Sequence, residues 1–145
     1  GGTSTAAPWR CVRTAMARSP DARRRALRFG RAAESVCCWR LRLTGWRILA
    51  RDWRVPVGEI DIIAKRGEVI AFVEVKGRRH ANWETAPPAP RQRRRIVRAA
   101  EMFLARHPRF AALYGRFDVM LVEPWPSVKF LWPIHLPDAW RIDQV

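Results

Sequence analysis

Apolar residues recur at helical spacing from Ala22 to about Leu43, with Leu27, Gly30, Cys37 or Cys38, and Leu41 on one stripe. Glu34 lies on that stripe, and Thr44-Gly45 supplies a stop signal. Three segments rich in β-branched and aromatic residues follow: "WRILARDWRV", "EIDIIAK" and "EVIAFVEVK". Pro56-Val57-Gly58 and Arg66-Gly67 separate them, so the pattern predicts a three-stranded antiparallel meander. Gly77 to Pro90, with prolines at 87, 88 and 90, reads as loop. From Arg91 to about Arg106, Ile96, Ala100 and Phe103 form the apolar face of a second helix, closed by Pro108. "RFDVMLV" (116–122) and "KFLWPI" (129–134) predict two more strands, the second ending at Pro133 or lying at an edge. The order αβββαββ predicts a mixed α/β domain over 22–145. Residues 1–21, where small residues mix with arginines, read as a flexible basic N-terminal arm.

Charged residues interrupt the strands where apolar ones are expected. Side chains alternate along a strand, so Phe72, Glu74 and Lys76 share one face and Glu59, Asp61 and Ile63 share another. Pairing about Arg66-Gly67 puts Asp61 opposite Phe72, with Glu74 a diagonal neighbour within reach of a shared ion. Two carboxylates that close raise each other's pKa. A hard divalent cation such as Mg²⁺ relieves the conflict and keeps coordination sites for water and phosphate. Lys76, two residues after Glu74, can stabilise charge on a phosphate or help orient or deprotonate a water. The set suits metal-assisted hydrolysis of a phosphodiester; the competing reading is a salt bridge on a solvated sheet face.

Charge narrows the partner. The 145 residues include 28 basic and 13 acidic ones, a formal +15, and all the basic residues except Lys65, Lys76 and Lys129 are arginine. That excess points to a polyanion, either nucleic acid or an acidic membrane surface. No apolar run approaches a membrane span, and residues 1–28 lack the apolar stretch of a signal peptide. The three cysteines, Cys11, Cys37 and Cys38, fit neither a zinc knuckle nor a disulfide framework, and read as reduced packing residues of a cytoplasmic protein. Arg91, Arg93, Arg94, Arg95 and Arg98 form a run suited to tracking phosphates, and Arg78, Arg79 and His80 follow the carboxylate motif directly. Trp83 is the candidate for base stacking; Trp46, Trp53, Trp125, Trp132 and Trp140 are assigned to the core or its rim. His80, His107 and His135 have no ligand spacing, and His107 falls at a helix end.

"GEIDIIA", the hairpin, and "AFVEVKGR" resemble the YraN-like family of small bacterial proteins, which is similar to the PD-(D/E)xK nucleases and, among them, to archaeal Holliday-junction resolvases. The resemblance runs from about Phe29 to Asp143 and includes "GRAAESVCCWRLRLTGWRILARDWR", "PRQRRRIVRAAEMFL", "RFDVMLV" and "HLPDAW". It implies a restriction-endonuclease-like mixed sheet flanked by helices. Asp61 and Glu74 take the places of the motif's two carboxylates and Lys76 that of its lysine. Glu34 aligns with a first-helix Glu that joins the metal site in similar nucleases, and the Val75 carbonyl would complete the coordination. The second helix of such nucleases often turns a polar residue to the site, here Gln92 or Arg93. Two departures stand out: Gly77 where the family usually has Thr or Ser, and Arg91-Gln92-Arg93 where it favours Lys-Gln before the arginines. The expectation is a Mg²⁺- or Mn²⁺-dependent endonuclease acting on DNA, branched or structured, with Arg78, Arg79, Arg91, Gln92, Arg93, Arg94 and Arg95 at the nucleic acid. The alternative is a non-catalytic nucleic-acid-binding protein with a vestigial site. Junction-resolving activity would call for a symmetric homodimer.

Overall fold

The computed structural model describes residues 19–77, 87–124 and 127–144. In chain order it has α1 (Pro20–Leu43), β1 (Arg47–Val55), β2 (Gly58–Arg66), β3 (Val69–Gly77), α2 (Pro90–Arg106), β4 (Tyr114–Val122) and β5 (Ile134–Trp140). The strands form one five-stranded sheet in the order β1-β2-β3-β4-β5. β1, β2 and β3 are the antiparallel meander read from the sequence, β3 and β4 run parallel across α2, and β5 returns antiparallel to β4. This is the restriction-endonuclease-like mixed sheet flanked by helices.

Each helix covers one face of the sheet. On one side Ala33, Cys37, Cys38 and Leu41 of α1 pack on Ile62, Ala64, Ala71, Val73, Met120 and Val122. On the other, Ile96, Ala99, Ala100 and Phe103 of α2 pack on Ile63, Ile70, Phe72, Val119 and Leu121. β3 shows the strand period cleanly, with Ile70 and Phe72 toward α2 and Ala71 and Val73 toward α1. Each buried Ile, Leu or Phe contributes about 1.5–3 kcal/mol over its exposed state. Cys37 and Cys38 are buried free thiols, and burial pushes both thiols up, in keeping with a packing role. Leu27 and Gly30, placed on the buried stripe by periodicity, are exposed instead; α1 is buried only from Ala33 onward.

Local chemistry sets the ends of the elements. Ser19 caps α1 by accepting the Ala22 N–H at 3.2 Å, with Pro20 in the first turn, so the helix starts two residues before the expected Ala22. The remainder of the expected arm, residues 1–18, lies outside the described residues. Gly67, at φ 57°, turns the β2–β3 hairpin, and Arg66 pairs with Val69. The turn is therefore Gly67-Glu68 rather than Arg66-Gly67, which shifts the register by two.

The segment 129–134 is not a strand. Val128–Phe130 is a 3₁₀ turn, and the last strand is Ile134–Trp140. Turn-like Pro137-Asp138 sits inside that strand, which tolerates it because it is an edge with a bulge. Phe117 pairs with Trp140 but Val119 pairs with Leu136, so residues 137–139 oppose Asp118 alone. Asp138 adopts φ 51°, and its N–H goes to Asp118 Oδ1 at 2.9 Å. Asp118 is buried at 0% exposure, and it also accepts from Arg116 Nε and Nη2, each at 2.8 Å, and from His135 Nε2 at 2.7 Å. Its carboxylate thus replaces the missing ladder bonds. The other edge strand, β1, has a similar feature: Asp52 at φ 48°, accepting from Arg54 Nε at 2.8 Å.

Two substitutions test this architecture. A Cβ on Gly58 would lie 2.1 Å from the Arg95 backbone carbonyl, so α2 rests directly on that glycine. Gly58→Ala should cost about 3 kcal/mol, the upper end for overpacking, because a helix backbone cannot rotate aside; urea unfolding reads the loss. Asp118→Ala should cost about 3–5 kcal/mol by stranding Arg116 and His135. Burial pushes the Asp118 carboxyl up, but His135, Arg116 and the Asp138 amide outweigh it and hold the group below its ordinary value. A depressed carboxylate stabilises the fold above its unfolded pKa and loses that contribution as pH falls through the folded one. The gap between parent and variant should therefore be full at pH 7 and narrow in acid.

Candidate metal centre and its surroundings

The site forms where β2 and β3 part. Their ladder runs from Arg66–Val69 to Ile62–Val73 and stops. One step further, the register sets Asp61 directly across from Glu74, not diagonal to it as the misplaced turn implied. Here the Asp61 Oδ2 accepts the Val75 N–H at 2.8 Å, so a side chain replaces a backbone carbonyl. Ile60 and Ile63, three residues apart, both face α2, which means that β2 slips once in its alternation around Asp61. The strict alternation of Glu59, Asp61 and Ile63 expected from the sequence is broken by that slip. Asp61 thus faces Glu74 while its charge also acts on Glu34 of α1.

The register sets Asp61 and Glu74 face to face, close enough for each carboxyl to act on the other. Burial first, and then the Asp61 charge, push the Glu74 carboxyl up to about 8, against the opposing effects of Lys76 and Gln92. Burial also raises Asp61, despite its bond to the Val75 amide. Glu34 is raised by burial and then by Asp61. Lys76 is thus close enough to act on Glu74. Gln92 Nε2 donates to Glu74 Oε1 at 2.6 Å, so it is Gln92, not Arg93, that α2 turns to the site. Arg93 instead donates to the Pro88 carbonyl at 2.7 Å and lies over the Trp140 ring.

Among the described residues, no three His, Cys, Asp or Glu side chains converge into a cage by themselves. The donors that do come together are two carboxyl groups, Asp61 and a Glu74 that keeps its proton without metal, facing each other in a partly buried place. In a strand a residue's N–H and C=O point to the same neighbour, so the Val75 carbonyl is directed to the same side as the amide held by Asp61. Hard oxygen donors that crowd one another in this way fit Mg²⁺ or Mn²⁺, with Glu34 adding charge from α1.

Arg91, Arg94, Arg95 and Arg98 are exposed along α2. The first turn of that helix contains no acid, and its N-cap, Ala89, offers no side-chain hydrogen bond. The positive end of the helix dipole and the arginines therefore add in sign beside Glu74. Arg78, Arg79, His80 and Trp83 lie outside the described residues, as does Trp125. Trp46 and Trp140 are buried, Trp53 packs edge-on against Phe103, and Trp132 is a rim residue at 49% exposure. His107 is the C-cap of α2, in contact with the Phe103 carbonyl at 2.8 Å. Gly77, one of the departures noted from the sequence, lies tight against α1: a Cβ there would lie 2.2 Å from the Phe29 ring.

A restriction-endonuclease-like sheet with an acidic pair at the parting of its second and third strands defines the structural class. The chain belongs to the uncharacterised protein family UPF0102, which matches residues 33–122 and is the YraN-like family. A UPF0102 protein of Parvibaculum lavamentivorans is 46% identical over 116 residues, covering 80% of this chain and 84% of that protein. One from Methylocella silvestris is 46% identical over 126 residues, covering 87% and 98% respectively. UPF0102 protein amb4503 of Paramagnetospirillum magneticum is 45% identical over 122 residues, covering 81% and 91%.

The crowded pair has a pH signature. Between the ordinary glutamate range and about 8, folded Glu74 keeps a proton that the unfolded chain has released. Stability should therefore fall as pH rises through that window. In chelator, the melting temperature of the parent should drop more steeply between pH 5 and 8 than that of Glu74→Gln. Parallel curves would show that the pair carries no such penalty.

Proposed function

We propose that this chain is a divalent-metal-dependent nuclease that hydrolyses phosphodiesters in nucleic acid, with DNA as the substrate to test first. The observation that carries the reading is the facing pair of partly buried Asp61 and Glu74, with the Lys76 charge acting on Glu74. Asp61, Glu74 and the Val75 carbonyl would hold the ion, and Glu34 would add charge from α1. A bound ion would supply Lewis acidity and an activated water. Asp61 is held in place by the Val75 amide, and Gln92 fixes the orientation of Glu74. Lys76 stabilises charge that develops on the phosphate, or orients the attacking water. The exposed arginines of α2 align the backbone without reading sequence, so affinity should depend on salt more than on sequence.

Among the described residues no helix is long and apolar enough to cross a membrane. The pairing of the charge with a built carboxylate site favours nucleic acid.

The test is cleavage of linear, flapped and four-way DNA with and without Mn²⁺, together with isothermal titration of the metal. Asp61→Asn should abolish cleavage and weaken Mn²⁺ binding. Gln92→Ala should weaken that binding by roughly tenfold, as expected for a group that orients a ligand. Lys76→Ala should keep most metal affinity and lose cleavage by roughly 10²–10³-fold. If Asp61→Asn binds Mn²⁺ as tightly as the parent, the pair is not a metal site. Metal binding without cleavage of any DNA would make the chain a binding protein with a vestigial centre.

A further inference from the structure

A second basic site lies at the other end of β2. Arg40, Arg66 and Arg116 line a pocket of about 280 Å³ together with Trp46 and His135. Two of these arginines are held from behind. Arg66 donates Nη1 to the Thr44 carbonyl at 3.0 Å and lies 4.7 Å over the Trp46 ring. Arg116 is fixed by its two bonds to buried Asp118 and lies 5.2 Å from the same ring. Arg40 is different. It stacks on the half-exposed Trp132 at 4.9 Å, yet its buried Nε has no hydrogen-bond partner. Burial pushes its guanidinium down, with the Cys37 thiol opposing.

A buried donor without an acceptor costs about 1–3 kcal/mol, more when it is charged. Three guanidiniums against one carboxylate leave the pocket net positive. Arginines held in place on a carboxylate, a carbonyl and aromatic faces have little freedom left to lose when an anion arrives. The planar fork of a guanidinium matches a phosphate.

We infer that the Arg40–Arg66–Arg116 pocket binds a backbone phosphate of the nucleic-acid strand some distance from the Asp61–Glu74 centre, with Trp132 beside it as a face on which an unpaired base can stack. The choice of nucleic acid as occupant rests on the reading above; the affinity of the pocket for a phosphate group does not. Arg66 lies five residue steps along β2 from Asp61, roughly 17 Å at strand rise. At the 3.4 Å rise of a stacked duplex strand that span is about five nucleotides, and an unpaired strand, which extends further per nucleotide, covers it in fewer. Exposed aromatic faces favour unpaired bases over duplex, because a paired base has no free face to offer.

Two measurements on one set of proteins test this. Inorganic phosphate is titrated into the parent protein while the arginine Nε–H signals are followed by NMR. A labelled single-stranded deoxythymidine decamer is titrated into the parent, Arg40→Gln, Arg66→Gln, Trp132→Ala and, as a control on the other site, Arg94→Gln. Phosphate should shift the Arg40 signal. Arg40→Gln should raise the decamer Kd about tenfold, with a shallower salt dependence than the parent, and Trp132→Ala should also weaken binding. Arg66 is exposed, so Arg66→Gln keeps the test open if Arg40→Gln folds poorly. Parent-like binding by both arginine variants, with Arg94→Gln weakened, would overturn the pocket and leave the nuclease reading standing. A phosphate shift at Arg40 with no decamer binding by the parent would overturn nucleic acid as the occupant. No shift at all would overturn the pocket as an anion site.

Discussion

One hydrogen bond organises the centre of this molecule: the Val75 amide is held by the Asp61 carboxylate rather than by a backbone carbonyl of β2. Where that exchange occurs the two strands cease to pair, and polar groups gather between them in place of the ladder. Glu74 enters from β3, Gln92 from α2, and Glu34 lies close by on α1. The two helices cover opposite faces, so only a local parting of strands lets groups from both reach one place. Gly58 contributes from below: its missing side chain lets the α2 backbone come close enough for Gln92 to reach Glu74.

The electrostatics are arranged along the same line. Carboxylates are concentrated where the strands part, and guanidiniums surround that place and gather again at the other end of β2. In the basic pocket the buried carboxylate of Asp118 lies behind Arg116 and His135, where it orients the guanidinium and the imidazole ring. The acidic pair and the basic pocket thus meet opposite needs with one device, a charged group fixed by partners on its far side. Long arginine side chains would otherwise lose considerable rotamer freedom on binding.

Much of this was legible in the sequence, for reasons that differ by residue. The strand period around Val73 and the helical period around Ile96 and Phe103 gave the elements, because burial there is decided by one face at a time. Asp61, Glu74 and Lys76 stood out because charges in β-branched runs are hard to explain otherwise. Their register was misjudged because a two-residue hairpin can turn at Arg66-Gly67 or at Gly67-Glu68 with the same signal, and each choice moves the pairing by two. The final strand was missed because Pro137-Asp138 is a turn signal, and only the three-dimensional partnership with Asp118 turns it into a bulge. The Arg40 pocket was not visible at all. Its arginines come from α1, β2 and β4, and nothing in their spacing joins them. Leu27 shows the opposite error: a helical period extends past the sheet that would give it something to cover.

The two aspartates with left-handed backbone have a consequence of another kind. Asp52 lies in β1 and Asp138 in β5, the two outer strands of the sheet, and among the described residues they are the only ones besides glycine with positive φ. Each kinks its strand and sets a charge on the rim, and Pro137 removes an amide as well. An open sheet with flat rims invites a second sheet to join it edge to edge. Here both rims are bent and ionic, so self-association by strand addition is disfavoured from either side. The bent rims thus protect the sheet from being extended by a strand of another chain.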